Sequence, residues 1–574
     1  MPWTASLGRG SAAVAALVAL LAAPLSATAA VSADTAALAP AAGTSELVVV
    51  VPLIAPAEAP TLLDAALLEE YTAPDGMLTE RLDAVDGTGA TLAIDPRILV
   101  SIRLLGSTVP DTAAAWLARL ASLPNDSFLL RFADADVSGF AAVDALELAA
   151  PLSFQFAVDA ARFNELPEPP AEATPDPSAT STAPPAPTET PAPEPALPPS
   201  DEQLLFWPHG IDGLEWPARG NLAGTGLAAL DVAGTAAVLL DSASVDDAAA
   251  SHLSIDGVSV LASNSDLDDL LEAVEIGPFS ASGTTSREAF LAALDDRLAT
   301  SVGPLIVTAS RDENTGTTRL ASLLDELERR ADVDLVGIST AMQTAPSTGS
   351  LSTEPLGDAA LRAFEELVSA EAAVSEFAEI VAEPEDFRAD HRLDLLSTFT
   401  AGTVEDRVGI TVAAGTAIEN AESILAAVQI AEGSDLLILS NSTGLPVSVS
   451  NALDVAVTVT VSGRPLRPLL RLTGGPVEVT IGPGSSHTVY LPAEAVTNGQ
   501  VSVLVQLRGA GGLPVGTDRV IQVDLQAQWE TVGTIILIGL AVVFGAGIIH
   551  NILRRRLQAR AADSAADDET SSDD

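Results

Sequence analysis

Carboxylates follow several apolar, β-branched runs of this chain, where a strand would end. Asp95, Asp134, Asp136 and Asp241 occupy such positions. Active sites of β/α barrels are built at the carboxyl ends of the strands, and two carboxylates flanking a sugar can act as acid and base or as nucleophile. We therefore take these four as candidate catalytic residues for a reaction on glycan. The competing interpretation is structural, because the chain has 78 acidic residues and Asp commonly caps helices and turns.

Trp207, His209 and Arg311 are candidates for ligand binding, and Trp216 is considered together with Trp207. Trp207 and Trp216 flank one loop and could stack on a sugar ring, although aromatic side chains more often anchor a core. His209 also follows a predicted strand, and a solvent-facing or capping histidine is its simpler interpretation. Arg311 follows the predicted strand 304–308 and suits bidentate contact with a carboxylate or phosphate. An ordinary ion pair in the loop is the alternative.

Several kinds of chemistry are excluded by residue types. The absence of Cys excludes thiolate catalysis, disulfides and Cys-type zinc sites. The five histidines contain no His-x-x-x-His pair, which disfavours a metal-dependent deacetylase. The chain also has no Lys, so it has no phosphate-binding P-loop, and it contains no Gly-x-Ser-x-Gly elbow. We predict neither a metal nor a cofactor.

The charge of the chain restricts its partners. A net charge of −51 makes the surface as a whole repel nucleic acid and anionic lipid head groups. Nucleic-acid binding is therefore excluded. The sequence contains no signal for a particular oligomeric state.

Strand and helix patterns alternate over residues 46–164 and 204–345, which predicts an α/β domain with a mostly parallel sheet. We favour an irregular β/α barrel, and a doubly wound sheet is the alternative. The interval 165–203 is rich in Pro, Ala and Thr and is predicted to be a disordered insertion. A helical segment, 351–430, precedes an Ig-like β-sandwich at 435–526, where the apolar period changes to two.

The two ends of the chain indicate export and anchoring. Residues 1–29 have the pattern of a signal peptide. Residues 531–551 are long and apolar enough for a transmembrane helix. The following arginines predict that the acidic tail, 552–574, is cytoplasmic and that the body is extracytoplasmic. The predicted location is the cell membrane, with a single span.

Particular stretches resemble a known family. They are Val51-Pro52-Leu53, Leu92-Ala93-Ile94-Asp95-Pro96, the strand ending in Asp134-Ala135-Asp136, Asn498-Gly499 with Val501-Ser502-Val503 and Leu507, and Trp529 with Arg554 to Arg556. The chain resembles an uncharacterised actinobacterial family of large single-pass envelope proteins, often encoded beside the lipid II flippase. Members commonly have Asp-Pro-Asp where this chain has Asp134-Ala135-Asp136. The resemblance implies a barrel similar to those of glycosidases and polysaccharide deacetylases.

Two functions are compatible with these observations. The first is a non-catalytic protein that binds or scaffolds components of peptidoglycan assembly, with envelope-assembly membrane proteins or peptidoglycan as partners. The second is a glycosidase or deacetylase that acts on cell-wall glycan through the carboxylates at the strand ends. A surface adhesin is a third possibility without distinctive support. Convergence of the four carboxylates on one open cleft would favour the enzyme, whereas scattered or ion-paired carboxylates would favour the scaffold.

Overall fold

The computed structural model describes residues 44–163, 198–246, 250–277, 281–311, 317–404, 406–431, 436–438, 443–525 and 529–566. The predicted signal peptide and nearly all of the predicted insertion 165–203 lie outside these residues. The protein has a mixed α/β structure.

The first part of the described chain alternates strands and helices, as predicted. Its elements are β1 (Ser45–Leu53), α1 (Ala65–Tyr71), α2 (Met77–Val85), β2 (Thr91–Ile94), α3 (Pro96–Leu104), α4 (Asp111–Ser122), β3 (Ser127–Leu129), α5 (Ser138–Ala142), α6 (Asp201–Leu205), β4 (Leu214–Glu215), α7 (Gly224–Val232), β5 (Ala237–Asp241), β6 (Val245–Asp246), β7 (His252–Ile255), β8 (Val258–Ser263), α8 (Ser265–Ile276), α9 (Ala281–Leu298), β9 (Leu305–Thr308), α10 (Thr317–Glu328), β10 (Val333–Leu335), α11 (Ile338–Gln343), β11 (Ser347–Thr348) and β12 (Ser350–Leu351).

The first sheet is parallel and centred on β1. Its strand order is β10-β1-β2-β3, and β9 also pairs with β1. Val48 and Val50 contribute to one buried cluster, while Leu47, Val49 and Val51 pack with the helices in another. Burial of both faces explains why β1 is a continuous apolar run in place of an alternating one.

The second sheet has the order β11-β7-β8-β5-β4, with β4, β5 and β8 parallel. Contacts at two places link it to the first sheet. Ser127 at the start of β3 forms a parallel bridge with Gly210, just before β4. The amide of Asn264, after β8, donates to the carbonyl of Ile306 in β9 at 2.8 Å. One buried cluster also combines side chains of both sheets: Val48, Val50, Ala93, Phe128, Leu130, Leu214, Ala237, Leu239, Leu261, Ile306, Ile338 and Ala341.

One predicted strand is helical in the structure. The strand predicted before His209 covers residues 204–207, but Leu204 and Leu205 end α6. Ser200 accepts from the amide of Gln203, and the Gln203 side chain accepts from the Ser200 amide. This capping box satisfies two amides at the start of the helix. Local capping therefore outweighs the strand preference of a short apolar run.

Three helices follow, as predicted for the helical segment: α12 (Asp358–Phe377), α13 (Pro384–Thr398) and α14 (Arg407–Ala426). They pack against the α/β part through an aromatic cluster. The Phe140 ring lies 5.3 Å from that of Phe364 and 4.9 Å from that of Phe399, both nearly edge-on. Gly139 makes this approach feasible, because a Cβ there would lie 1.9 Å from the Phe364 ring.

Two further sheets make up the region predicted as a sandwich. Their strands are β13 (Val428–Ile430), β14 (Leu436–Ile438), β15 (Thr443–Asn451), β16 (Val457–Pro465), β17 (Leu470–Leu472), β18 (Val477–Ile481), β19 (Ser486–Ala495), β20 (Gly499–Arg508) and β21 (Pro514–Leu525). The orders are β13-β15-β19-β17 and β14-β21-β20-β16-β18. Side chains of both sheets share one core with Phe377 and Ile380 of the helical segment.

The last described element is the helix α15 (Trp529–Ala566). Among the described residues, its part Gly533–Leu557 is the one helix long and apolar enough to cross a membrane, by length and composition. The helix continues past residue 551, where the tail was predicted to begin. Ala, Leu and Arg favour helix and no Gly or Pro interrupts residues 552–566, which accounts for the extension.

Candidate ligand cavity at the strand ends

A cavity of about 170 Å³ opens at the carboxyl ends of β5, β8 and β9. It is the position where α/β folds place ligands. Its walls combine charged side chains with one large aromatic ring, and Ala401 of the helical segment closes one side. The lining residues are Trp216, Pro217, Ala218, Arg219, Leu239, Leu240, Asp241, Ser263, Asp268, Glu272, Thr308, Ala309, Ser310, Arg311 and Ala401.

Arg311 is fixed in the wall of this cavity from three directions. Its guanidinium carbon lies 4.0 Å from the centroid of the Trp216 ring, a cation–π contact. One NH₂ group donates to the carbonyl of Trp216 at 2.6 Å. Its Nε lies 3.4 Å from Oδ2 of Asp134. These contacts fix the orientation of the guanidinium in the cavity wall.

Asp268 is the most perturbed carboxyl in the lining. It accepts from the Ser263 hydroxyl at 2.6 Å and from the Thr308 amide at 2.7 Å, while Arg219 lies 3.8 Å away. Burial nevertheless raises the pKa of Asp268 to about 7, because desolvation disfavours the charged form. Near neutral pH this group can therefore exchange a proton.

Asp241 also lines the cavity, as the predicted position at a strand end requires. Its two carboxylate oxygens accept from the amide and the hydroxyl of Ser244, at 3.0 and 2.9 Å. It thereby caps the short 3-10 turn Ser242–Ser244. Asp241 faces the cavity and has a structural role at the same time.

The other three candidate carboxylates lie behind the cavity wall and are buried. Asp95 caps α3 by accepting from the Arg97 amide, and its Oδ2 lies 3.1 Å from the Arg97 Nε. It also accepts from the amide of Ala133 at 2.9 Å. Asp136 accepts from the amide of Ala218 at 2.8 Å and from the Ser138 hydroxyl. Both carboxylates thus hold backbone segments in place.

Asp134 lies in a strained turn between Asp95 and Asp136. Ala133 and Asp134 both adopt left-handed backbone, with φ of 59° and 52°, which costs non-glycine residues on the order of 1–3 kcal/mol each. The pKa of Asp134 is raised to about 7, chiefly by burial and less by the charges of Asp95 and Asp136, although the charge of Arg311 opposes this rise. The structure therefore brings Asp95, Asp134, Asp136 and Arg311 into one buried cluster. The hydrogen bond from the Ala133 amide to Asp95 helps to hold the strained turn in place.

Trp207 and His209 are not part of the cavity lining. Trp207 donates from Nε1 to the Ser127 hydroxyl at 2.9 Å and packs on a core cluster, as an anchoring aromatic residue does. His209 is exposed in the same loop. Their proposed part in ligand binding remains a prediction.

Metal binding was not predicted, and the described residues contain no group of three or more His, Asp or Glu arranged to hold an ion. The sequence interpretation missed Asp268 and also Glu275, whose buried carboxylate lies 3.6 Å from Arg81 and accepts from the Ser310 amide. Burial raises the pKa of Glu275 to about 7. An acidic run after β8, Asp266 to Asp269, was the available signal.

Comparison with known protein families finds one family that covers most of the chain. The model of a family of unknown function, DUF6049, matches residues 27–564. The chain belongs to this family. This membership agrees with the predicted resemblance to an uncharacterised family. The family description assigns no activity to these residues. No curated protein matches the chain.

Three solved structures are each similar to less than a fifth of this DUF6049 chain. Native α2-macroglobulin from Escherichia coli, spanning domain MG7 to its C-terminus, is 22% identical over 17% of each chain, with a TM-score of 0.15. Salmonella α2-macroglobulin reacted with methylamine is 20% identical over 18% of this chain and 7% of its own, with a TM-score of 0.15. WR4, a Caenorhabditis elegans MSP family member, is 5% identical over 18% of this chain and 99% of its own, with a TM-score of 0.14. The chain thus covers under a fifth of both α2-macroglobulin chains.

Proposed function

We propose that this protein is a membrane-anchored extracytoplasmic protein that binds or scaffolds components of cell-envelope assembly without catalysing a reaction. One observation carries the proposal. Three of the four candidate carboxylates, Asp95, Asp134 and Asp136, are buried and engaged by groups of the chain itself. An acid–base pair must reach its substrate, so this cluster serves the structure of the strand ends.

The same proposal includes an irregular β/α barrel that presents the cavity. The shared cluster of apolar side chains from β1, β2, β4, β5, β8 and β9 supports it. So do the Ser127–Gly210 bridge and the hydrogen bond from Asn264 to Ile306, which join the two sheets at both sides. The antiparallel pairs around one core support an Ig-like sandwich for residues 435–526.

Location follows from the ends of the chain. The apolar segment Gly533–Leu557 would be the single span. Arg554 to Arg556 at its end favour a cytoplasmic C-terminus by the positive-inside rule. The signal-peptide pattern at residues 1–29 agrees with this orientation. An actinobacterial envelope, with peptidoglycan and its assembly proteins as partners, is the setting that we infer.

The test is binding of the full chain, solubilised in detergent, to purified peptidoglycan. The partly exposed Arg219 offers donors at the cavity, so Arg219→Gln should weaken binding about tenfold, the loss typical of one charged hydrogen bond. Arg329→Gln is the matched control, since Arg329 lies just after α10 and forms an exposed ion pair with Asp325. Equal binding by both variants, or none by the parent chain, would contradict the proposal.

An enzyme acting on cell-wall glycan is the second candidate, and Asp268 favours it. Its pKa of about 7 suits a general acid, and Asp241 lines the same cavity. Incubation of peptidoglycan with the full chain, with release of sugars or acetate as the readout, separates the two functions. Product formation abolished by Asp268→Asn or Asp241→Asn would establish the enzyme and overturn the non-catalytic proposal.

A further inference from the structure

One end of the sandwich is tied closely to the apolar helix. β21 ends at Leu525 and α15 begins at Trp529. Four Cα–Cα steps of about 3.8 Å separate these two residues, so they lie no more than about 15 Å apart. The first turn of α15 and this end of the sandwich therefore share the same surroundings.

Strand pairing identifies the loops at that end. Gly499 at the start of β20 pairs with Leu525, and the preceding residues 496–498 turn back from β19. The loop between β16 and β17 lies beside them, because the amide of Val496 donates to the carbonyl of Leu469 at 2.8 Å. We call residues 466–469 and 496–499 the tip of the sandwich.

The tip combines exposed apolar side chains with positive charge. Leu466 and Val496 are 51% and 46% exposed. Arg467 is exposed between Leu466 and Pro468, and Arg464 and Arg471 are exposed in the adjoining strands. Among the residues that the structure describes, the side chains of these three arginines have no hydrogen-bond or ion-pair partner. In a chain of net charge −51 without any Lys, such a group is unusual.

Acidic residues also lie at this end of the sandwich. Glu494 is the cross-strand neighbour of Arg471 on β19. Asp524 is exposed on β21, next to Leu525. The three arginines outnumber these two acidic residues by one, and Glu530 in the first turn of α15 offsets that excess, so this end is near neutral in a strongly negative chain. Within the tip itself, Arg467 is the one charged residue. Repulsion of anionic lipid by the rest of the surface is screened beyond a Debye length of about 8 Å at physiological salt.

We propose that the tip docks on an anionic lipid surface, with Arg467 on lipid phosphates and Leu466 and Val496 in the headgroup layer. This rests on the membrane anchorage proposed above. Each arginine near an anionic surface strengthens attachment about fivefold, and exposed apolar side chains add to it by leaving water. The short connection to α15 holds the tip at the surface, so docking needs little additional affinity.

The experiment uses the full chain in nanodiscs. Because the chain has no Cys, Val496→Cys creates a single labelling site for a fluorophore. Ala510→Cys is the matched control, since Ala510 is exposed in the turn between β20 and β21 at the opposite end. Quenching by neutral, water-soluble acrylamide then reports contact with water. Discs of phosphatidylcholine are compared with discs that also contain phosphatidylglycerol.

We expect the label at residue 496 to be quenched several-fold less than the label at 510 in anionic discs. Arg467→Gln should reduce this protection, and Arg508→Gln at the far end should not. Equal quenching of both labels in a chain that co-elutes with discs would overturn docking and leave the anchor intact. Equal protection in both lipids would overturn the anionic selectivity. Failure of the chain to enter discs would refute the anchorage and docking together.

Discussion

The Nε atom of Arg311 lies 3.4 Å from Oδ2 of Asp134, and both side chains are less than a tenth exposed. This pair joins the end of β9 to the strained turn after β3. Arg311 also lies over Trp216, so one guanidinium connects the buried carboxylates to the wall of the cavity. The arrangement makes the cavity and the carboxylate cluster a single unit.

Arg311→Gln should destabilise the α/β part by about 3 kcal/mol, because it leaves a buried carboxylate without its partner. The effect should be larger at about pH 8 than at about pH 6, since Asp134, with a pKa of about 7, is ionised at the higher pH. Thermal unfolding of the full chain in detergent, followed by tryptophan fluorescence, measures the loss. Arg329→Gln, at an exposed pair, should have almost no effect, and a similar loss in both variants would disprove this assignment.

Asp268 should make stability fall with rising pH. Its pKa is about 7 in the folded chain against an ordinary value of 3.8. Between these values the folded chain holds a proton that the unfolded chain has lost, so the free energy of unfolding decreases as pH rises towards 7. Between about pH 5 and pH 7, the free energy of unfolding should fall by about 2 kcal/mol less in Asp268→Asn than in the parent chain. Unfolding temperatures of both proteins across this range provide the measurement, and parallel curves would exclude the shift.

Gly139 and Gly415 should respond to alanine in opposite ways. Gly139→Ala places a methyl group inside the Phe364 ring and should cost about 1–3 kcal/mol or more. Gly415→Ala meets open space in the middle of α14 and should stabilise by about 0.5–1 kcal/mol. Thermal unfolding of the two variants tests the pair. A loss at Gly415 or tolerance at Gly139 would show that the packing of α12 differs from that described.

Asn451 should be important for the sandwich. Its side-chain NH₂ group donates to the carbonyls of Val455 and Gly482, at 2.8 and 3.1 Å, and its oxygen accepts from the amide of Leu453. Asn451→Ala should leave these buried groups unpaired and cost about 2 kcal/mol. Hydrogen exchange of the Leu453 amide should also become faster. Unchanged exchange with unchanged stability would contradict this role.

Local patterns were sufficient for much of the fold. Residues 46–53 are a continuous apolar, β-branched run that matches β1 within one residue, because a strand buried on both faces needs apolar side chains throughout. The β7–β8 hairpin was missed although Asp256-Gly257, both with positive φ, is a strong turn signal. The last residues predicted as helical, 428–430, form β13, since pairing with β15 overrides helix preference.

The candidate site was predictable only in part. The strand-end rule located Asp241 and Arg311 in the cavity lining. It could not show that Asp136 accepts from Ala218 or that Asp134 lies against Arg311, because those partners come from distant chain segments that folding brings together. Burial of Asp268 was hidden for the same reason. A residue type at a strand end indicates position, whereas its partners decide its chemistry.

The helical segment enters the sandwich without a hinge. Only Ala427 separates α14 from β13, and the amide of Ala382 donates to the carbonyl of Ala456 in front of β16. Phe377 and Ile380 complete the sandwich core. Mechanical load applied at the cavity would therefore pass through packed side chains to Leu525 without first straightening a flexible tether. The body would then transmit force as a rigid unit, and the distance between the cavity and Leu525 would be fixed by the folded structure.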